Sequence, residues 1–260
     1  MGLSKCHISP HAWVEWAPEG SFIAVARVGY GAPPSKDRPT RGRVQGFSAR
    51  SRSRMLKQLA KLNRDAIRGA LMVTLTYPGV YAADERRWKR DLDVWTKRLV
   101  RRCPQASYVW KLEFQARGAP HYHLLLFGVH FLAKDWLSES WYEVVGSHDA
   151  RHRVAGTQVA RLRSANEALA YAAKYISKRD SIEDDGYWGR YWGVYGRERL
   201  PIIVYFKRVS LGDGYSIRRI FIALAKRHKE KRKRPRKDLS WRIISGGVAA
   251  RIAASVLALP

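Results

Sequence analysis

The chain has 260 residues, 46% of them apolar, which excludes a compositionally disordered segment and allows a full-sized hydrophobic core. Lys and Arg number 49 against 22 acidic residues, a formal charge of +27 that exceeds what solubility requires and points to a polyanionic partner. Cys6 and Cys103 are the whole cysteine complement, which excludes both a CxxC zinc pair and a disulfide framework and suits a reducing, intracellular compartment.

Aromatic residues are plentiful, with 10 Trp, 13 Tyr and 7 Phe. Rings interleaved with cations stack on unpaired bases, so single-stranded nucleic acid is the expected form of the polyanion. The N-terminus has no apolar stretch of signal-peptide length, and no run of about 18 apolar residues occurs, so no membrane role is expected. No GxxxxGK[ST] is present, so no nucleotide cofactor and no helicase module are expected either.

In chain order, residues 21–29 predict a strand, and a Pro/Gly-rich basic loop follows over 30–46. Over 48–66 a helix is predicted, with Met55, Leu56, Leu59 and Leu62 on one stripe and Arg50, Arg52, Arg54, Lys57 and Lys61 around it. Residues 71–77 read as a strand ended by Pro78-Gly79. Over 84–101 Trp88, Leu92, Trp95 and Leu99 make the apolar face of a second helix. Strands at 107–115 and 121–128 flank a Gly-Pro turn, and a strand at 156–163, a helix at 165–178 and strands at 187–195 and 201–211 complete the pattern. The run KRHKEKRKRPRK at 226–237 reads as a basic arm at a domain boundary, with Lys231, Arg232, Lys233 and Arg234 as phosphate contacts beside Arg50, Arg52, Arg54 and Lys57 of the first helix. The expected organisation is an N-terminal strand and loop over 1–47, a catalytic domain over 48–215 and a basic extension over 216–260.

Two groups of residues carry chemistry. His121 and His123 flank Tyr122 on a strand, and strand alternation sends both imidazoles to one face. A symmetric hairpin closed by 116–120 pairs Gln115 with His121 and Glu113 with His123, which brings a carboxylate to the imidazoles. Two imidazoles and a carboxylate suit Mg²⁺ or Mn²⁺ acting on a phosphodiester. The second group is YAAKYISK at 171–178, where Tyr171, Lys174, Tyr175 and Lys178 share one helix face. Lys174 is placed to favour a phenolate, the form in which tyrosine is a nucleophile. Thr74 and Thr76 are read as strand residues and given no chemistry.

Three segments in order, MVTLTYPG at 72–79, GAPHYHLLLFG at 118–128 and YAAKYISK at 171–178, give the chain a likeness. It resembles the HUH-endonuclease replication initiators of plasmids and single-stranded DNA phages, in which the tyrosine follows the histidines. The YxxKY spacing is similar to that of the two-tyrosine subgroup. The resemblance implies an α+β fold: a five-stranded antiparallel sheet flanked by helices, with an RRM-like or ferredoxin-like core. It implies a divalent metal held by His121, His123 and Glu113, with Tyr171 as first nucleophile, Tyr175 as second and Lys174 beside them. It implies nicking of single-stranded DNA at a replication origin through a 5′-phosphotyrosine and a free 3′-hydroxyl, with a host helicase and DNA polymerase as partners in the bacterial cytoplasm. A transposase of the same chemistry and a non-catalytic, basic single-stranded nucleic-acid-binding protein are the rival expectations.

Overall fold

Strand β3 (Leu71–Thr76) opens the sheet of the main unit in chain order and has a strand paired on either side. A computed structural model describes residues 11–17, 23–28, 46–164 and 189–227 of the chain. Contacts group them into two units, one drawn from Arg41–Pro201 and the other from Met1–Thr40 with Ile202–Pro260. The sequence-based boundaries after 47 and 215 rest on composition, whereas the contact grouping follows strand pairing across the length of the chain.

In the larger unit, β3 leads into α3 (Glu85–Arg102), which returns to β4 (Ser107–Phe114). A hairpin then gives β5 (Pro120–Phe127), and α4 (Lys134–Val144) and α5 (Ala150–Ala155) lead to β6 (Thr157–Arg161). The sheet runs β6-β3-β5-β4-β7, every neighbouring pair antiparallel, with β7 (Trp192–Tyr195) on the outer edge of β4. This is the interleaved βαββαβ order of ferredoxin-like folds with a fifth strand added. The α+β class and the five-stranded antiparallel sheet expected from the sequence are therefore present.

One face of that sheet is the core. Leu71, Val73, Leu75, Tyr122, Leu124, Leu126, Tyr108 and Leu112 point to it and meet Trp88, Leu92, Trp95 and Leu99 of α3 and Leu137, Trp141 and Val144 of α4. Asp84 caps α3 by accepting from the Arg86 amide at 2.9 Å, which sets the phase of the tryptophan stripe. Helix α4 was not predicted, although Leu137, Trp141 and Val144 stand at i, i+4 and i+7, the spacing that signals a buried helical face.

The first predicted helix is shorter than expected. Helix α1 (Ala49–Ala60) stops at Lys61, and α2 (Arg64–Ile67) starts anew because the Asn63 side chain accepts from the Asp65 amide at 2.8 Å. Met55, Leu59 and Leu62 are buried as predicted, while Leu56 is 40% exposed and lies off the stripe.

β5 ends at Gly128, whose φ is +71° and whose missing Cβ would stand 2.2 Å from the Gln105 carbonyl oxygen. Only glycine combines that conformation with that approach. Gly128→Ala is expected to cost at least about 2 kcal/mol in urea unfolding, since backbone must move as well as adopt strained dihedrals.

The second unit is a three-stranded antiparallel sheet, β2-β1-β8, made of β1 (His11–Trp16), β2 (Ile23–Val28) and β8 (Tyr205–Ser210). Helix α6 (Leu211–Arg227) follows β8 and packs on the strands. Among the described residues no helix is long and apolar enough to cross a membrane.

Candidate active site

The sheet face turned away from the helical core carries the polar residues. His121 and His123 on β5 face Thr76 and Thr74 of β3 across one ladder and Glu113 and Lys111 of β4 across the other. Directly paired residues share a face, so all six side chains stand together. The expected hairpin register is corrected here: Glu113 pairs with His121 and Lys111 with His123, while Gln115 lies in the turn. The connection is 115–119, closed by Gln115 N–H donating to the Ala119 carbonyl at 2.9 Å and turned by Gly118 at φ +80°. Pro120 thereby opens β5 opposite Phe114. A shift of two residues preserves the face, so Glu113 stays with the imidazoles.

Each imidazole is held by a threonine. Thr76 Oγ1 lies 2.8 Å from His121 Nδ1, and Thr74 Oγ1 lies 3.3 Å from His123 Nδ1. The two rings stand 4.3 Å apart between centroids at 77°. Thr76 is itself clamped: Trp141 Nε1 and His152 Nε2 both donate to its carbonyl, each at 2.7 Å. Because a carbonyl only accepts, His152 carries its proton on Nε2, and its buried Nδ1 finds no hydrogen-bond partner among the described residues.

Glu113 is 5% exposed and bridges to two cations or potential cations. Lys111 Nζ donates to Oε1 at 2.5 Å, and His123 Nε2 stands 3.6 Å from Oε2. Burial pushes the Glu113 carboxyl up, but the hydrogen bonds from His123 and Lys111, with the lysine charge, outweigh it and hold the group below the usual carboxylate value. Lys111 is only 2% exposed, and its ammonium also lies 5.1 Å from the centre of the Phe47 ring.

The threonine clamps and Lys111 are site features that the sequence reading missed. Lys111 stands two residues before Glu113 on the same strand, so period-2 alternation places both on one face, and that signal was available. The roles of the threonines depended on pairing β3 with β5, which no local pattern reports.

Of the predicted DNA contacts, Arg50, Arg52, Arg54 and Lys57 all lie on α1, with Arg50 and Arg54 exposed. The guanidinium of Arg52 lies 6.0 Å from the Phe47 ring centre, and Ser51 accepts from Trp192 Nε1 at 3.0 Å. Trp192 pairs with Lys111, so the start of α1 is anchored beside the polar face. Tyr171, Lys174, Tyr175 and Lys178, with the helix predicted for them, lie outside the described residues. So do Lys231, Arg232, Lys233 and Arg234.

The class that the fold defines is α+β, a βαββαβ sheet with an added fifth strand and an imidazole pair on the face opposite its helices. Residues 70–180 match the family model described as replication-associated protein ORF2/G2P. Over 146 residues the chain is 32% identical to a protein of Xylella fastidiosa (strain 9a5c) named "Putative replication protein", covering 54% of this chain and 48% of that one. The chain thus spans about half the length of that curated relative. No solved structure matches it.

Proposed function

We propose that this chain is a rolling-circle replication initiator, a divalent-metal-dependent endonuclease and strand transferase acting on single-stranded DNA in the cytoplasm of a bacterial host. The observation that carries the reading is the imidazole pair on the sheet face opposite the helical core, each Nδ1 against a threonine hydroxyl and a carboxylate alongside. The likeness of 70–180 to replication-associated proteins supports it independently.

Among the described residues no three His, Cys, Asp or Glu side chains form a ready-made metal cluster. Two imidazoles and a carboxylate are nevertheless donors that a divalent ion such as Mn²⁺ accepts. With the threonine oxygens accepting from Nδ1–H, Nε2 is the nitrogen that each ring would offer a metal, and at His123 the ion would take the place of the Nε2 contact with Glu113. The 3.6 Å between His123 Nε2 and Glu113 Oε2 is close to the separation of roughly 3.0–3.5 Å between two ligands sharing an ion of Mg²⁺ or Mn²⁺ size. His121, His123 and Glu113 would hold the ion, and when bound it supplies Lewis-acid polarisation of the scissile phosphate.

The remaining chemistry belongs to the chain. The Tyr171 phenolate oxygen attacks phosphorus, the bond to the 3′-oxygen breaks, and the departing 3′-oxygen takes a proton to become the hydroxyl that a host polymerase extends. One phosphodiester is exchanged for a phosphotyrosyl ester, so no ATP is consumed. Lys174 favours the phenolate, Tyr175 serves a second transfer, and Lys178 with the α1 and 231–234 cations holds backbone phosphates. Unwinding falls to a separate host helicase.

Denaturing gels of the protein incubated with labelled single-stranded DNA from its own replicon test the reading. A Mn²⁺-dependent covalent adduct, abolished by EDTA, is expected. Tight binding without an adduct under any divalent metal would leave a non-catalytic binding module instead, and joining of element ends rather than origin strands would make it a transposase.

The threonine clamp has its own expected result. Thr76→Val, which keeps shape and removes the hydroxyl, weakens Mn²⁺ binding by about 10–100-fold in calorimetry. Nitrogen-15 shifts of the His121 ring then show a mixture of tautomers in the variant and a single one in the wild type. An unchanged affinity and tautomer would mean that the hydroxyl does not set the ring.

A further inference from the structure

The solvent face of the β2-β1-β8 sheet has no role in the chemistry above. On its other face Ala12, Val14, Trp16 and Val209 are buried, and α6 packs against the strands. Alternation therefore turns His11, Trp13 and Glu15 of β1 and Phe206, Arg208 and Ser210 of β8 to the opposite side. There Trp13 is 38% and Phe206 58% exposed, and Arg208 and Ser210 are exposed as well. Two large rings thus stand open to solvent on neighbouring strands, beside an exposed cation.

We infer that this face is a second binding platform for single-stranded DNA, on which unpaired bases stack against Trp13 and Phe206 while Arg208 takes a backbone phosphate. Trp13 pairs directly with Arg208, so a cation stands beside the exposed indole. His11 meets the same indole edge-on, with ring centroids 5.7 Å apart and 73° between planes, and props it in place. Phe206 lies diagonally from Trp13, two residues along β8 from its partner. Diagonal neighbours of this kind are about 7–8 Å apart. Bases in a duplex rise only about 3.4 Å per step, so side chains rooted at the wider backbone spacing suit bases splayed from one another, as in a single strand. Glu15 shares the face, opposite Phe206, and marks the end away from the Arg208 phosphate position.

Two exposed rings with an exposed arginine paired to one of them select this occupant over a second copy of the chain, since bases stack on rings and a phosphate meets the guanidinium. The chain as a whole, at +27, attracts a polyanion. The inference goes beyond the nicking reading and uses none of its residues, so adduct formation and strand binding report on the two separately.

The full-length protein is titrated with fluorescent (dT)30 by anisotropy over a range of salt, as wild type, Trp13→Ala/Phe206→Ala, Phe206→Trp and Arg208→Ala. The double variant is expected to bind at least about tenfold more weakly, from the loss of two base-stacking rings. Phe206→Trp retains affinity, and Arg208→Ala lowers the slope of log affinity against log salt by about 1. Adduct yield on a saturating origin oligomer is unchanged in all three. Affinity of the double variant within twofold of wild type would overturn the proposal. So would sedimentation that finds a wild-type dimer and a monomeric double variant, which would make the face a self-association surface. Should the double variant unfold by circular dichroism, Arg208→Ala decides alone, because its side chain is exposed: an unchanged salt slope overturns the platform.

Discussion

His121→Ala and Tyr171→Phe are each expected to leave no covalent protein–DNA product, a loss of at least roughly 10³-fold in the rate of adduct formation. The two losses have different causes. Phenylalanine has no oxygen with which to form the phosphotyrosyl bond, so added metal does not rescue that variant. Alanine at 121 removes one imidazole of a pair whose centroids are 4.3 Å apart and leaves Thr76 without its partner, so high Mn²⁺ restores part of the rate. Binding of single-stranded DNA stays within a few-fold of wild type in both, because neither change touches the cations that give the chain its +27 charge. Tyr175→Phe in the same gels keeps the first adduct and loses the second transfer. Adduct formation at the wild-type rate by His121→Ala would remove the imidazole pair from the chemistry, and its persistence in Tyr171→Phe would name another nucleophile.

Lys111→Met is expected to cost about 3 kcal/mol in denaturant unfolding of the metal-free protein. Lys111 and Glu113 form a buried ion pair at 2.5 Å, and removing one partner strands the other charge out of water. The double variant Lys111→Met/Glu113→Gln recovers much of that loss, since no unpaired charge remains. Mn²⁺ also recovers part of it in the single variant if Glu113 is a ligand, because an ion that binds only the folded state stabilises it. The pH dependence has a defined sign. The native Glu113 carboxyl sits below its usual value, so its contribution is full above about 4.3 and is lost as pH falls through the lowered native value. Wild type and Glu113→Gln therefore converge in stability at the acid end. Retention of full stability by Lys111→Met would mean that the pair is not closed in solution.

What was legible in the sequence follows local periodicity. Strand alternation puts His121 and His123 on one face wherever the strand pairs, and helical spacing puts Trp88, Leu92, Trp95 and Leu99 on one stripe of α3. Both patterns persist because each depends on residues a few positions apart. The class of fold was readable for the same reason: strands and helices alternate along 71–161 in an order that few sheets accommodate.

Tertiary structure decided everything that depends on how separate elements meet. The hairpin register depended on where Gly118 turns the chain, and it set Glu113 rather than Gln115 opposite His121. The threonine clamps needed β3 beside β5, a pairing of residues 45 and 49 positions apart. The first strand of the chain finds its partner in β8, nearly two hundred residues on, where no composition or spacing foretells it. The sequence by itself determined which residue types stand on which face of each element, because those faces are dictated by backbone geometry. Which faces meet, and therefore that Thr76, Lys111 and Glu113 surround the imidazoles, was decided only when burial of the apolar faces fixed the order of the strands.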